Sequence, residues 1–210
     1  MIGISTVWTS RDARCGDDLL GPILDLGFTG VELEYRVTEQ LYEEIRPRVR
    51  NSAIHVLSIH NYFPVPPLIL PERVSGDCFS LSSLDREERE KGVFYTVHTL
   101  ECAHDLEARA VVLHLGRVET GMPKNGLQQL YREGPWADEG PEPPQQEREE
   151  RSRLRDLHLD ALLFSLERIL KRAEQLGVMV GIENRYYLQE IPDQEEIGII
   201  LEQFRGGPIG

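Results

Sequence analysis

Three short apolar segments of the chain each end in a side chain that can bind a metal ion. The segments are Ser58-Ile59-His60, Val111-Val112-Leu113-His114 and Gly181-Ile182-Glu183. Such segments are typical of buried strands, and a polar group in a buried strand is costly unless it is paired or ligated. Because α/β enzymes place their chemistry at the carboxyl ends of parallel strands, we expect two imidazoles and a carboxylate to converge there.

These residue types suit metal-assisted chemistry. Neutral imidazole and carboxylate together bind divalent first-row metals such as zinc, manganese or iron, which polarise a carbonyl or hydroxyl oxygen. A glutamate at a strand end in a dry pocket can also act as a general base. Glu183 is therefore the candidate catalytic residue and a candidate metal ligand. His60 and His114 are candidates for metal binding or substrate binding.

The polar neighbours of this set allow two interpretations each. Arg185 either binds a substrate oxygen or phosphate, or simply pairs with a carboxylate. Glu32 and Glu34 alternate onto one face of the second predicted strand, where they face either the interior or solvent. A single histidine at a strand end is more often a hydrogen-bonded structural residue, so the set of three carries the functional hypothesis.

Five strand-helix units in regular alternation must position these residues. The predicted strands are 2–8, 30–35, 54–61, 110–115 and 178–184, and the predicted helices are 19–26, 38–50, 85–107, 151–176 and 192–204. This alternation predicts a parallel sheet with helical crossovers. The turn after the first strand lacks the glycines that a dinucleotide-binding fold requires, so the expected fold is α/β, a (β/α) barrel of the TIM type.

Two long loops follow the third and fourth strands. The first covers 62–84 and carries four prolines, and the second covers about 117–150 and is acidic and rich in proline. Loops of this length are usually functional or disordered. The second loop, which contains Trp136, is either a lid over the catalytic face or a solvated insertion with no role.

The chain reads as one domain over 1–210 whose barrel is incomplete. The segment Phe204–Gly210 resembles the entry into a sixth strand. Five units do not close an eight-stranded barrel, so we expect a barrel truncated after about five units. The reading frame beyond Gly210 is the observation that would test this expectation.

Composition limits the partners. Hydrophobic residues make up 40% of the chain and charged residues 28%, which is ordinary for a globular protein. A net charge of −13 disfavours nucleic acid, whose binding draws on lysine and arginine, and favours a small-molecule substrate.

The sequence shows no apolar run of the roughly 18 residues that a membrane span needs and no signal-peptide pattern. The expected location is cytoplasmic, and Cys15, Cys78 and Cys102 are expected to be reduced structural thiols.

Several of these segments resemble the xylose-isomerase-like barrel superfamily, which contains sugar phosphate isomerases and epimerases and the family 2 apurinic endonucleases. The matching segments are Gly30-Val31-Glu32-Leu33, the strand ends at His60 and His114, Val180-Gly181-Ile182-Glu183-Asn184, and Ile191-Pro192-Asp193 before a helix. The resemblance covers nearly the whole chain.

The resemblance implies roles for the strand-end residues. Glu183 matches a metal-ligating glutamate, and His60 and His114 match histidines that bind an additional zinc in the nuclease branch or line the substrate pocket in the isomerases. The implied cofactor is a divalent metal: manganese, zinc, magnesium or cobalt. The family's ligands from the sixth, seventh and eighth strands have no counterpart here.

Three functions follow as hypotheses. The first is an isomerase or epimerase of a sugar, sugar phosphate or polyol that uses a divalent metal and carboxylate proton transfer, with a homo-oligomer as its expected assembly. The alternative is a metal-dependent phosphodiesterase acting on abasic DNA. The third is a non-catalytic barrel fragment.

Overall fold

The computed structural model describes residues 1–51, 54–121, 145–185 and 187–210. Five strands and five helices alternate along these residues. The strands are β1 Gly3–Ser5, β2 Gly30–Leu33, β3 His55–His60, β4 Ala110–Leu113 and β5 Met179–Ile182. The helices are α1 Gly16–Asp25, α2 Glu39–Arg50, α3 Arg86–Asp105, α4 Gln145–Leu176 and α5 Gln194–Gln203. The order confirms the predicted α/β fold.

All five strands form one parallel sheet in the order β1-β2-β3-β4-β5. Consecutive strands are neighbours, as in a barrel, because each helix returns the chain to the adjacent position. Beyond β5, the backbone of 208–210 runs parallel to it, and Val180 N donates to Pro208 O at 2.8 Å. The segment predicted as the entry into a sixth strand therefore lies where such a strand begins.

The two faces of the sheet differ in burial. Ile59, Val111, Leu113 and Val180 are fully buried against the helices. The residues between them in sequence point to the other face and are only half-buried, or in the case of Met179 exposed. In β4, fully buried and half-buried residues alternate, because the described helices cover only one side of the sheet. The inner face is the side that an eight-stranded barrel would enclose.

The helices bury apolar stripes against the outer face. In α4 the buried stripe includes Leu162, Leu166, Ile169 and Ala173, as the helical spacing predicts. Leu157, which the same spacing assigns to this stripe, is 57% exposed. Gly27 follows α1 with a φ of +83°, the left-handed conformation that favours glycine after a helix.

Several predicted boundaries differ from those in the structure; for example, α1 begins at Gly16 rather than at position 19. The first strand ends at Ser5, and Thr6–Trp8 forms a 3₁₀ helix capped by the Ser5 hydroxyl. The second loop ends earlier than position 150, because α4 begins at Gln145. Its first turns are charged and bury Glu147 and Arg151, and Arg151 forms ion pairs that sequence spacing does not reveal. The last helix begins at Gln194, after its cap Asp193, rather than at Pro192.

The remaining expectations concern the acidic loop, the three cysteines and membrane-spanning segments. Most of the acidic loop, including Trp136, lies outside the described residues. None of the three cysteines forms a disulfide; Cys102 is buried, and the other two are half-buried. No helix among the described residues is both long and apolar enough to span a membrane.

Candidate active site

The three strand-end residues meet at one edge of the sheet. His60 is the last residue of β3, and His114 and Glu183 follow β4 and β5 directly. The ligand atoms of the three side chains all lie within 4.8 Å of one another. His60 Nε2 lies 3.2 Å from Glu183 Oε2, and His114 Nε2 lies 3.5 Å from the same oxygen. The structure thus brings together all three residues that the sequence singles out.

The other ring nitrogens are already engaged. His60 Nδ1 lies 3.1 Å from the backbone carbonyl oxygen of Asn61, and His114 Nδ1 lies 2.9 Å from Asp77 Oδ1. Both partners are acceptors, so Nδ1 of each imidazole carries a proton and donates it. In a neutral histidine this leaves the Nε2 lone pair facing Glu183, which is the arrangement that metal-ligating histidines adopt.

Asp77 is a site residue that the sequence analysis missed. It lies in the loop after β3, and its carboxylate holds the ring of His114, a side chain that is only 9% exposed. Burial by itself would raise the pKa of the Asp77 carboxyl, but the hydrogen bond from His114 and the charge of Arg185 outweigh it and lower the pKa. The carboxylate is therefore ionised at neutral pH and can only accept hydrogen bonds.

The backbone beside Asp77 approaches the same ring closely. A Cβ atom added to Gly76 would lie 2.8 Å from His114 Nδ1, so only glycine allows the loop to pack against this imidazole. No motif in the sequence connects a loop glycine and aspartate to a histidine 37 positions later. The only available signal was that the loop follows a strand and so lies on the catalytic edge.

Arg185 is the basic member of the site. Its Nη1 lies 3.3 and 3.2 Å from the two carboxylate oxygens of Asp77, and its Nε lies 3.5 Å from Glu190 Oε1. The guanidinium also contacts the ring of His114. Because Nδ1 of His114 cannot both donate to Asp77 and accept from Arg185, we assign the hydrogen bond to the carboxylate, which has no proton to give. Of the two interpretations from sequence, the geometry shows carboxylate pairing.

An open cleft of about 810 Å³ surrounds these residues on the inner side of the sheet. The described residues that line the cleft include Glu32 and Glu34, for which the sequence did not decide between an interior and a solvent-facing position. Glu34 is 1% exposed and pairs with Arg36 at 3.0 Å. Glu32 is half-buried and accepts a hydrogen bond from Ser58 at 2.8 Å. The Tyr35 ring also lines the cleft, at 5.6 Å from the ring of His60.

Two further histidines lie away from the site. His158 is fully buried and bonded to the backbone, with Nδ1 at 2.8 Å from Ser82 O. His104 similarly faces Leu176 O at 2.8 Å. Neither ring belongs to the group of His60, His114 and Glu183.

The site fits a divalent cation by the chemistry of its donors. Two imidazole lone pairs and one carboxylate oxygen point toward a common volume, and acceptors that face one another are stable only with a cation or proton between them. Both imidazoles have their Nδ1 protons bonded to an oxygen, the backbone carbonyl of Asn61 or the carboxylate of Asp77, which raises the basicity of Nε2.

Comparison with known proteins agrees with this architecture. The family model described as xylose isomerase-like TIM barrel matches residues 21–197. No curated protein matches the chain significantly.

Three solved structures illustrate the fold similarity. A D-tagatose 3-epimerase-like protein has a TM-score of 0.64 at 15% identity, over 99% of this chain and 62% of its own. An L-ribulose 3-epimerase has a TM-score of 0.62 at 17% identity, over 99% and 58%. A Thermus thermophilus protein whose crystal was soaked with zinc chloride has a TM-score of 0.54 at 21% identity, over 100% and 63%.

The chain thus spans about three fifths of the length of these structures. The family model covers most of the sequence, from α1 into α5. The chain belongs to the xylose isomerase-like TIM-barrel family.

Proposed function

We propose that this chain is the N-terminal part of a metal-dependent isomerase or epimerase acting on a sugar or polyol. The observation that carries the proposal is the convergence of His60 Nε2, His114 Nε2 and Glu183 Oε2, with each Nδ1 already bonded elsewhere. The sugar epimerases among the structurally similar proteins support the substrate class.

The residues have distinct parts in this proposal. A divalent metal held by His60, His114 and Glu183 would supply polarisation of a substrate carbonyl or hydroxyl oxygen; manganese, zinc, magnesium and cobalt are the candidates. If their Nε2 atoms do not hold the metal, His60 and His114 would instead orient substrate hydroxyls at the mouth of the cleft. The Glu183 carboxylate can take a proton from the substrate carbon and return it, a role that typically contributes about 10²–10⁴-fold to the rate.

The activity of the whole protein is part of the proposal, because the chain spans about three fifths of the similar structures. The resemblance assigns the remaining metal ligands, and the partner carboxylate of the acid/base pair, to later strands. Three further points are also proposals: a sugar phosphate as one candidate substrate class, a cytoplasmic location and self-association.

An exchange assay on the full-length gene product tests the function. A panel of ketoses is incubated in D₂O with each of the four metals, and proton NMR follows deuterium incorporation at the carbons beside the carbonyl. We expect exchange in the wild type and a loss of at least about 10²-fold in Glu183→Gln. Glu174→Gln, an exposed change on α4, should retain full activity. Unchanged exchange in Glu183→Gln would remove Glu183 from the mechanism.

The paired histidines also favour the second candidate, a phosphodiesterase acting on abasic DNA. The net charge of −13 and the four carboxylates among the described cleft residues disfavour it, because DNA binding needs cations that neutralise phosphates. Incubation of the metal-loaded protein with an abasic duplex oligonucleotide distinguishes the two functions. Strand incision together with absent ketose exchange would replace the isomerase proposal.

A further inference from the structure

A second polar pair lies on the inner face of the sheet, deeper than the three strand-end residues. Ser58 precedes His60 by two positions on β3, so its Cα lies about 6.6 Å farther from the strand end, on the same face. Ser58 is the register partner of Glu32 on β2, and its hydroxyl donates to Glu32 Oε2 at 2.8 Å. Glu32 lines the cleft. Glu32 therefore shares one cavity with His60, His114 and Glu183, and Ser58 supports it from the neighbouring strand.

Glu32 differs from the other carboxylates of the cleft in its partners. Glu34 pairs with Arg36 at 3.0 Å, and Asp77 pairs with Arg185 at 3.2 Å. Among the described residues, no lysine or arginine lies within ion-pair distance of Glu32. A carboxylate offers about four acceptor positions, and Ser58 fills one of them. Glu32 thus presents unused acceptor capacity to the cleft.

We infer that Glu32 and Ser58 form a subsite that binds hydroxyl groups at the far end of an uncharged sugar or polyol. This inference rests on the proposed function, because it requires the substrate's carbonyl end to lie at His60, His114 and Glu183. The depth of the pair below His60 is comparable with the length of a short carbon chain. Hydroxyl groups donate hydrogen bonds to a carboxylate, and the Ser58 hydroxyl both holds Glu32 and can accept from the substrate.

The same geometry selects against a phosphate at that end. A phosphate carries no donor that would match a carboxylate at neutral pH, and its charge repels Glu32 across a partly buried cleft. Among the described residues that line the cleft, the one lysine or arginine is Arg185, and its guanidinium already bonds Asp77 and Glu190. The subsite therefore selects a non-phosphorylated substrate. Of the sugars and sugar phosphates proposed as substrates, it favours the uncharged sugars.

Binding rather than turnover tests the subsite. The full chain is loaded with Mn²⁺ and titrated calorimetrically with D-fructose and with D-fructose 6-phosphate. We expect the wild type to bind D-fructose at least tenfold more tightly than its 6-phosphate. Glu32→Gln should weaken D-fructose binding about 10- to 100-fold, the usual loss for a hydrogen bond to a charged group, and remove most of the discrimination. Ser58→Ala should weaken D-fructose binding about 2- to 10-fold.

Two controls distinguish a local loss of sugar binding from a general loss of metal binding or folding. Both variants should bind Mn²⁺ as the wild type does, and Glu174→Gln should match the wild type in every measurement. Equal affinity for the two sugars in the wild type, or unchanged D-fructose binding in both variants, would overturn the subsite and leave the proposed function standing. A wild type that binds Mn²⁺ but neither sugar would overturn the subsite and the proposed function together.

Discussion

At the scale of single residues, the site depends on side chains that hold the candidate ligands as much as on the ligands themselves. The ring of His114 is fixed on one side by Asp77 and on the other by the approach of Gly76. Asp77 is kept ionised by His114 and Arg185 despite its partial burial. Its carboxylate therefore determines which nitrogen of His114 carries the proton.

Asp77 is expected to control metal affinity without touching the metal. Asp77→Ala should weaken Mn²⁺ or Zn²⁺ binding about 10- to 100-fold, because loss of such a partner frees the ring and its tautomer. Asp77→Asn keeps an acceptor oxygen and should lose less. Titration calorimetry measures both affinities, and ¹⁵N chemical shifts of His114 report the tautomer.

Glu72→Gln, an exposed change in the same loop, is the matched control and should bind metal as the wild type does. If Asp77→Ala keeps both the affinity and the His114 tautomer of the wild type, Asp77 has no positioning role.

At the scale of elements, one buried arginine joins α4 to the segment that leads from the site into α5. Arg151, 7% exposed in its side chain, donates to Glu196 Oε2 at 2.8 Å and to the backbone oxygen of Glu190 at 3.1 Å. Glu196 is fully buried and completes a capping box with Asp193. This contact holds the segment that carries Arg185.

Loss of this arginine should destabilise the whole chain. Arg151→Ala removes the closer arginine of the buried Glu196 carboxylate and leaves Arg155 Nε at 3.3 Å, so the loss should lie between that of an exposed pair and the roughly 3–5 kcal/mol of a fully broken buried pair. Urea denaturation followed by circular dichroism measures the free energy of unfolding. Arg168→Ala on the same helix removes an exposed ion pair with Glu90 and should cost less than about 1 kcal/mol. Equal losses in the two variants would show that burial of the Arg151 pair has no energetic consequence.

The elements also show where sequence patterns are reliable. Apolar periodicity located all five strands and five helices, because each must bury one face or stripe. It failed at the first turns of α4, where the buried face is made of Glu147 and Arg151. Buried charged side chains carry no periodic apolar signal, so the sequence predicts an acidic loop where this helix begins.

At the scale of the whole molecule, metal binding should couple to stability. A cation that binds only the folded chain stabilises it by about 2.7 kcal/mol at 100 times its Kd, which corresponds to a rise in Tm of roughly 5–10 °C for a chain of this size. Differential scanning calorimetry with Mn²⁺, Zn²⁺, Co²⁺ or Mg²⁺ against EDTA measures the shift. The metal that gives the largest rise at equal concentration is the preferred one.

The histidines provide the control for this shift. The double change His60→Ala and His114→Ala should abolish the rise in Tm, whereas His55→Ala, an exposed change at the start of β3, should retain it. A rise that survives the double change would place the stabilising cation elsewhere in the chain.

The sequence by itself determined the parallel α/β architecture and the edge at which His60, His114 and Glu183 meet. Both are consequences of short-range rules, namely the periodicity of apolar residues and the alternation of side chains along strands. Only the tertiary structure showed that Asp77 holds His114, that Arg185 pairs with Asp77, and that Glu32 faces the cleft beside Ser58. These contacts join residues 26 to 108 positions apart, so packing and charge pairing, rather than local pattern, decide them.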